Sequence, residues 1–160
     1  MNTIANIVNI EYKEKRGSGF ILPTINKDCM FLITAHHVLD YEDVVDDSKL
    51  KLKDTEKNEI CIEVLEKTIV HGNNDFCVLK LKYTSGYILP IITSPDYKEK
   101  MMLYGFPDEL SETISFFHYY HCIAETVNDT TSFCAKIEET LINGNISEHD
   151  LIEGVSGGHL

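Results

Sequence analysis

Apolar residues in this chain come in short runs close to period two, each stopped by charged, Gly, Asn or Pro residues, and this punctuation favours β-strands over helices. Runs at 4–12, 19–22, 29–34, 50–53, 60–70 and 76–81 predict six strands in the first half. Residues 83–96, with Gly86, Pro90 and Pro95, carry the turn chemistry of a connector. Beyond it, 101–104, 113–127 (one long bent strand or two) and 132–136 read as further strands. Only 35–39 and 137–142 read as helical, each as a single short turn. The expectation is an all-β chain of barrel or sandwich type.

Composition narrows the classes of function. With 160 residues, 43% of them hydrophobic, the chain can bury one compact core or two small ones. Its 26 acidic residues against 14 basic ones give a formal charge of -12, which repels phosphate backbones, so no nucleic-acid partner is expected. The acidic stretch 40–47 reads as a solvated loop. Glu11, Lys13, Glu14, Lys15 and Arg16 interrupt any leader-like apolar core, and no run is long enough to span a bilayer, so the expected location is cytoplasmic, with no membrane partner. Cys29, Cys61, Cys77, Cys122 and Cys134 are scattered singly, which predicts buried, reduced thiols.

Three patches carry chemistry, in the order His, Asp, Ser. Gly154-Val155-Ser156-Gly157-Gly158 sets a hydroxyl inside a turn where the backbone N–H groups of Gly154 and Ser156 face a developing oxyanion, a geometry that tolerates little beyond glycine around it. In Thr34-Ala35-His36-His37 an apolar strand runs into the turn, and adjacent residues there project in different directions, so only one of the two imidazoles faces Ser156. Asp40, Asp43, Asp46, Asp47, Asp75 and Asp96 all compete to orient the base. Asp75 stands out because it directly precedes Phe76-Cys77-Val78-Leu79, where a carboxylate is half buried and held. None of the cysteines lies in a comparable Gly-rich turn, which disfavours a cysteine-dependent enzyme. His118, His121 and Cys122 invite a zinc site, but strand positions three apart face opposite sides, so neither metal nor other cofactor is expected. His71 and His159 have no visible partner in the sequence and receive no role.

Gly17-Ser18-Gly19-Phe20-Ile21, Leu32-Ile33-Thr34-Ala35-His36-His37-Val38-Leu39, Asn74-Asp75-Phe76-Cys77-Val78-Leu79-Lys80-Leu81 and the serine motif together resemble the trypsin-like (chymotrypsin-fold) serine peptidases, with the nearest look to intracellular bacterial members. The resemblance implies two antiparallel Greek-key β-barrels, an N-terminal one over 1–82 carrying His37 and Asp75 and a C-terminal one over 97–160 carrying Ser156, joined by 83–96. It also makes His37 the base, Asp75 its partner and Ser156 the nucleophile of a serine endopeptidase acting on protein or peptide substrates. Asp150, six residues before Ser156, matches by ungapped counting the acidic base of a pocket for Lys or Arg, with a surface turn as its plainer reading. Val155 stands where many animal members carry the Asp that pairs with a newly cut N-terminus, so that route of activation is not expected. The family continues with further strands after the serine, whereas this sequence ends at Leu160. The second barrel is therefore expected to be incomplete here, the rest coming from a longer protein with a regulatory domain or from a partner chain. A catalytically inactive trypsin-fold binding or scaffold module is the second reading.

Overall fold

The computed structural model describes residues 3–71, 75–90, 100–106, 118–127 and 133–139. After a 3-10 turn at Thr3–Asn6, the strands in chain order are β1 (Ile7–Tyr12), β2 (Lys15–Pro23), β3 (Cys29–Ala35), β4 (Leu50–Lys53), β5 (Glu59–Ile60), β6 (Val64–His71), β7 (Phe76–Lys82), β8 (Lys100–Gly105), β9 (His118–Val127) and β10 (Phe133–Glu139). Two more 3-10 turns, His36–Leu39 and Asp47–Lys49, follow β3 and precede β4. The protein is all-β, with no α-helix among the described residues.

Strands β1 to β7 form one antiparallel sheet in the order β5-β4-β1-β2-β3-β7-β6. Alternation along each strand decides which face is buried. In β7, Cys77, Leu79 and Leu81 are buried while Phe76 and Lys82 are exposed. In β1, Val8, Ile10 and Tyr12 point the same way. The sheet curls around this face into a half-barrel, because the free edge of β6 is met by the segment leading to β4: Val45 N–H donates to the Lys67 carbonyl and Ile69 N–H to the Asp43 carbonyl, both at 2.8 Å. Val38 and Leu39, fully buried, plug the interior from the His36–Leu39 turn. Each such side chain contributes roughly 1.5–3 kcal/mol by leaving water.

Glycine at position 17 is what lets that turn lie so close to β2. A Cβ there would sit 2.5 Å from Val38 Cγ2, and β-branched Val38 has little freedom to turn away. The first Gly of the Gly17-Ser18-Gly19 motif therefore acts through packing.

The outer face of the sheet seats the later part of the chain. Ile7 and Phe20, cross-strand partners, are covered by Phe106, with Leu22 and Tyr104 at the margin. Phe106 N–H donates to Ser18 Oγ at 2.8 Å. Buried Asn6 ties the connector down: its Nδ2 donates to the carbonyls of Ile21 (2.7 Å) and Ile88 (2.6 Å), and its Oδ1 accepts from Ile88 N–H (3.1 Å). Strands β8 to β10 form a second antiparallel sheet, order β10-β9-β8.

Strand positions follow the hydrophobic pattern closely. Two expectations are corrected. The run 60–70 is divided between β5 and β6, and 137–139 belong to β10 instead of a helical turn, because Ile137 and Glu139 pair with Cys122 and His121 of β9. A one-turn helix has too little local preference to compete with sheet pairing.

Gly17→Ala is expected to lower unfolding free energy by about 1–3 kcal/mol, the usual cost of overpacking a filled core. Urea denaturation checks this, and an unchanged free energy would mean that the turn yields freely.

Candidate active site

Strand pairing brings two sequence-distant residues together. Ala35 at the end of β3 pairs with Phe76 at the start of β7, so Asp75 lies beside the first residues of the His36–Leu39 turn. The exit from that turn is fixed as tightly as its entry. Asp40 and Tyr41 are both left-handed (φ 58° and 56°), Asp40 N–H donates to the His37 carbonyl at 3.0 Å, and Tyr41 N–H donates to the His36 carbonyl at 3.2 Å.

Asp75 makes three hydrogen bonds to this turn. Its backbone carbonyl accepts from His36 N–H at 3.1 Å, Oδ1 accepts from His37 N–H at 3.1 Å, and Oδ2 accepts from the His37 ring at Nδ1, 2.5 Å away. Its φ of 53° lies in the left-handed region, which Asp enters more readily than most residues. A carboxylate only accepts, so the bond puts the His37 proton on Nδ1 and leaves Nε2 with a lone pair. The two side chains remain 37% and 43% exposed, so the dyad stands at the surface of the sheet where a reacting group has access. Its chemical capacity is that of an oriented base: Nε2 takes a proton and the carboxylate stabilises the resulting imidazolium.

Burial pushes the Asp75 carboxyl upward, but the hydrogen bonds from the His37 ring and amide, with the charge of His37 and His36, outweigh it and hold the group below its ordinary 3.8. Two residues on, burial and the neighbouring Asp75 charge push the Cys77 thiol up to about 12, leaving it a protonated core residue without nucleophilic character. Cys29, Cys61 and Cys77 are free thiols, with Cys61 exposed where burial was expected.

Among the described residues, the competing carboxylates are engaged elsewhere. Asp46 accepts from Ser48 N–H and caps the Asp47–Lys49 turn, Asp47 pairs with Lys67 at 3.1 Å, and Asp40 lies 3.8 Å from Lys13. Asp43 pairs with His71 Nε2 at 3.0 Å. His71, which has no partner visible in the sequence, also stacks on His36 with ring centroids 4.6 Å apart. No local motif announces this; the curl that carries β6 to 43–45 creates it. Lys13, Glu14, Lys15, Asp40 and Lys49 line a cavity of about 480 Å³ that includes neither dyad residue. Asp96, Asp150, Gly154, Ser156 and His159 lie outside the described residues. Among the described residues, no group of three His, Cys, Asp or Glu side chains is arranged to hold a metal ion.

Two solved structures are similar to this chain in fold. One is Rv3671c from M. tuberculosis H37Rv, a serine-to-alanine mutant in its inactive form, with a TM-score of 0.58 over 98% of this chain and 68% of that one. The fold is protease-like. The other is the Rv3671c protease, again in an inactive form, with a TM-score of 0.55 over 98% of this chain and 71% of that one. Sequence identities are 12% and 13%, so the likeness is one of fold. No protein-family model and no curated protein matches the chain.

The depressed Asp75 carboxyl has a defined sign. Its contribution to stability is complete above the ordinary carboxylate value and is lost as pH falls through the lower folded-state value. Carbon-detected NMR titration should find the Asp75 midpoint below 3.8, and His37→Ala should move it upward, because burial then acts with much less opposition. An unmoved midpoint would show that His37 does not hold the carboxylate.

Proposed function

We propose that this chain is a serine endopeptidase that cleaves protein or peptide substrates through an acyl-enzyme, using His37, Asp75 and Ser156. In the first step Ser156 Oγ bonds to the scissile carbonyl carbon while His37 Nε2 accepts the hydroxyl proton, and the Gly154 and Ser156 N–H groups receive the oxyanion. Collapse of the tetrahedral species breaks the C–N bond, with the proton passing from His37 to the departing amine. Water, activated by the same imidazole, then hydrolyses the ester. Asp75 keeps the proton on Nδ1 throughout, so Nε2 is always the working nitrogen.

The observation that carries this reading is the 2.5 Å bond from His37 Nδ1 to Asp75 Oδ2, backed by the second bond from the His37 amide to the same carboxylate. A surface ion pair needs no such double attachment. The protease-like fold and the Gly-rich serine motif support the reading from independent directions. The proposal extends to two antiparallel Greek-key barrels over 1–82 and 97–160 joined by 83–96, with the site in the cleft between them. Asp150, whose plainer reading is a surface turn, is proposed as the base of a pocket favouring Lys or Arg. No cofactor enters the mechanism. The location proposed is cytoplasmic; no helix among the described residues is long and apolar enough to cross a membrane.

A fluorophosphonate probe applied to the full-length protein should label Ser156, and Ser156→Ala should abolish that label. His37→Ala should slow labelling by at least about four orders of magnitude and Asp75→Asn by a comparable factor. Labelling lost with His36→Ala but kept with His37→Ala would overturn the choice of base. A folded protein that never labels at Ser156 would be an inactive trypsin-fold binding or scaffold module.

A further inference from the structure

His36 occupies the position just before the proposed base, yet its ring is buried and its Nε2 is engaged by a backbone carbonyl instead of the Asp75 carboxylate. Its Nε2 lies 3.1 Å from the Glu42 carbonyl, an acceptor only, which fixes the proton on that nitrogen. One face of the ring is covered by His71, nearly parallel at 15° and 4.6 Å, and Tyr41 meets it edge-on at 5.5 Å. His71 is in turn held by Asp43, whose backbone carbonyl accepts from Ile69 N–H on β6. Glu42 is pinned from the other side: its carboxylate accepts from the buried Tyr12 hydroxyl at 2.6 Å and from Lys13 Nζ.

From this we infer that His36, backed by the His71 ring that Asp43 orients, positions the His37–Asp75 dyad. The inference deepens the serine endopeptidase reading and rests on it for the word dyad. The mechanical link is short. His36 N–H bonds the Asp75 carbonyl, so any rotation of the His36 backbone moves the residue whose carboxylate holds His37. His36 has its ring locked at Nε2 and stacked on one face, and a ring so held resists that rotation. Tyr41 lies 6.4 Å from the His37 ring and 5.5 Å from that of His36, bridging the two. The titratable groups around His36 are His71 on β6, Tyr41 and Asp43 on the loop after the turn, and His37 and Asp75. Glu42 directs its carboxylate to Tyr12 and Lys13. In the proposed mechanism neither His36 nor His71 acts on the substrate; both act through His37 and Asp75.

Two readouts on full-length protein test this: proton NMR of the His37 Nδ1–H resonance with its imidazole titration, and the fluorophosphonate labelling rate across pH. His71 is a half-exposed strand residue, so His71→Ala should fold. It is expected to broaden the Nδ1–H signal, shift the His37 titration and lower the labelling rate by up to about a hundredfold, as a displaced catalytic group does. His71→Phe, which keeps a ring against His36, should restore most of the signal and the rate. His36→Gln, which retains a donor for the Glu42 carbonyl, should lie between wild type and His36→Ala. A folded His71→Ala protein with wild-type His37 resonance, titration and labelling would overturn the inference. So would a His71→Phe variant as impaired as His71→Ala. If wild type never labels at Ser156, the endopeptidase reading fails, while the Nδ1–H measurements still decide whether the stack positions His37.

Discussion

The candidate site depends on how Asp75 is held. One residue satisfies three donors of a single 3-10 turn: its carbonyl takes the His36 amide, one carboxylate oxygen the His37 amide and the other the His37 ring. The result is a carboxylate fixed in position as well as in charge, and an imidazole whose tautomer is decided by that fixed acceptor. Exposed ion pairs usually contribute little because two long side chains must be ordered to meet. Here the histidine side is ordered by its own backbone, and the aspartate by the first residue of a sheet strand.

The rest of the fold supplies the conditions for that arrangement. Pairing of β3 with β7 sets residue 75 opposite the turn. Gly17 gives Val38 the space to lie against β2, so the turn packs closely on that strand. Tyr12 Oη accepts from Asp46 N–H at 2.9 Å and donates to Glu42, tying the loop after the turn to the buried face of the sheet. The curl of the sheet brings β6 against 43–45, and with it His71 against His36. Local geometry at the pair is thus a consequence of strand pairing and sheet curl, both non-local properties.

That distinction explains which features are legible in the sequence. Strands are readable because alternation of apolar and polar residues is a local imprint of having one buried face, as in Cys77, Leu79 and Leu81 of β7. Asp75 stands out because it directly precedes the apolar run of β7, whereas the choice of His37 over His36 comes from the family resemblance and not from the local pattern; the structure bonds His37 to Asp75. The partner of His71 is not readable, since nothing near residue 71 in the chain encodes its approach to Asp43 and His36. Residues 137–139 mislead for the same reason: β9 supplies ladder partners that a local pattern does not display. Burial of Cys61 is expected from its apolar neighbours, but it lies between β5 and β6, where no face of the sheet covers it.

The central claim is that His37, oriented by Asp75, works on Ser156. A crystal structure of the full-length protein after reaction with a peptidyl phosphonate tests it most directly. The account predicts continuous density from Ser156 Oγ to phosphorus, the phosphonyl oxygen on the Gly154 and Ser156 amides, and His37 Nε2 within hydrogen-bonding distance of the adduct with Nδ1 still on Asp75. An adduct on another residue, or one on Ser156 with His37 directed elsewhere, would contradict it.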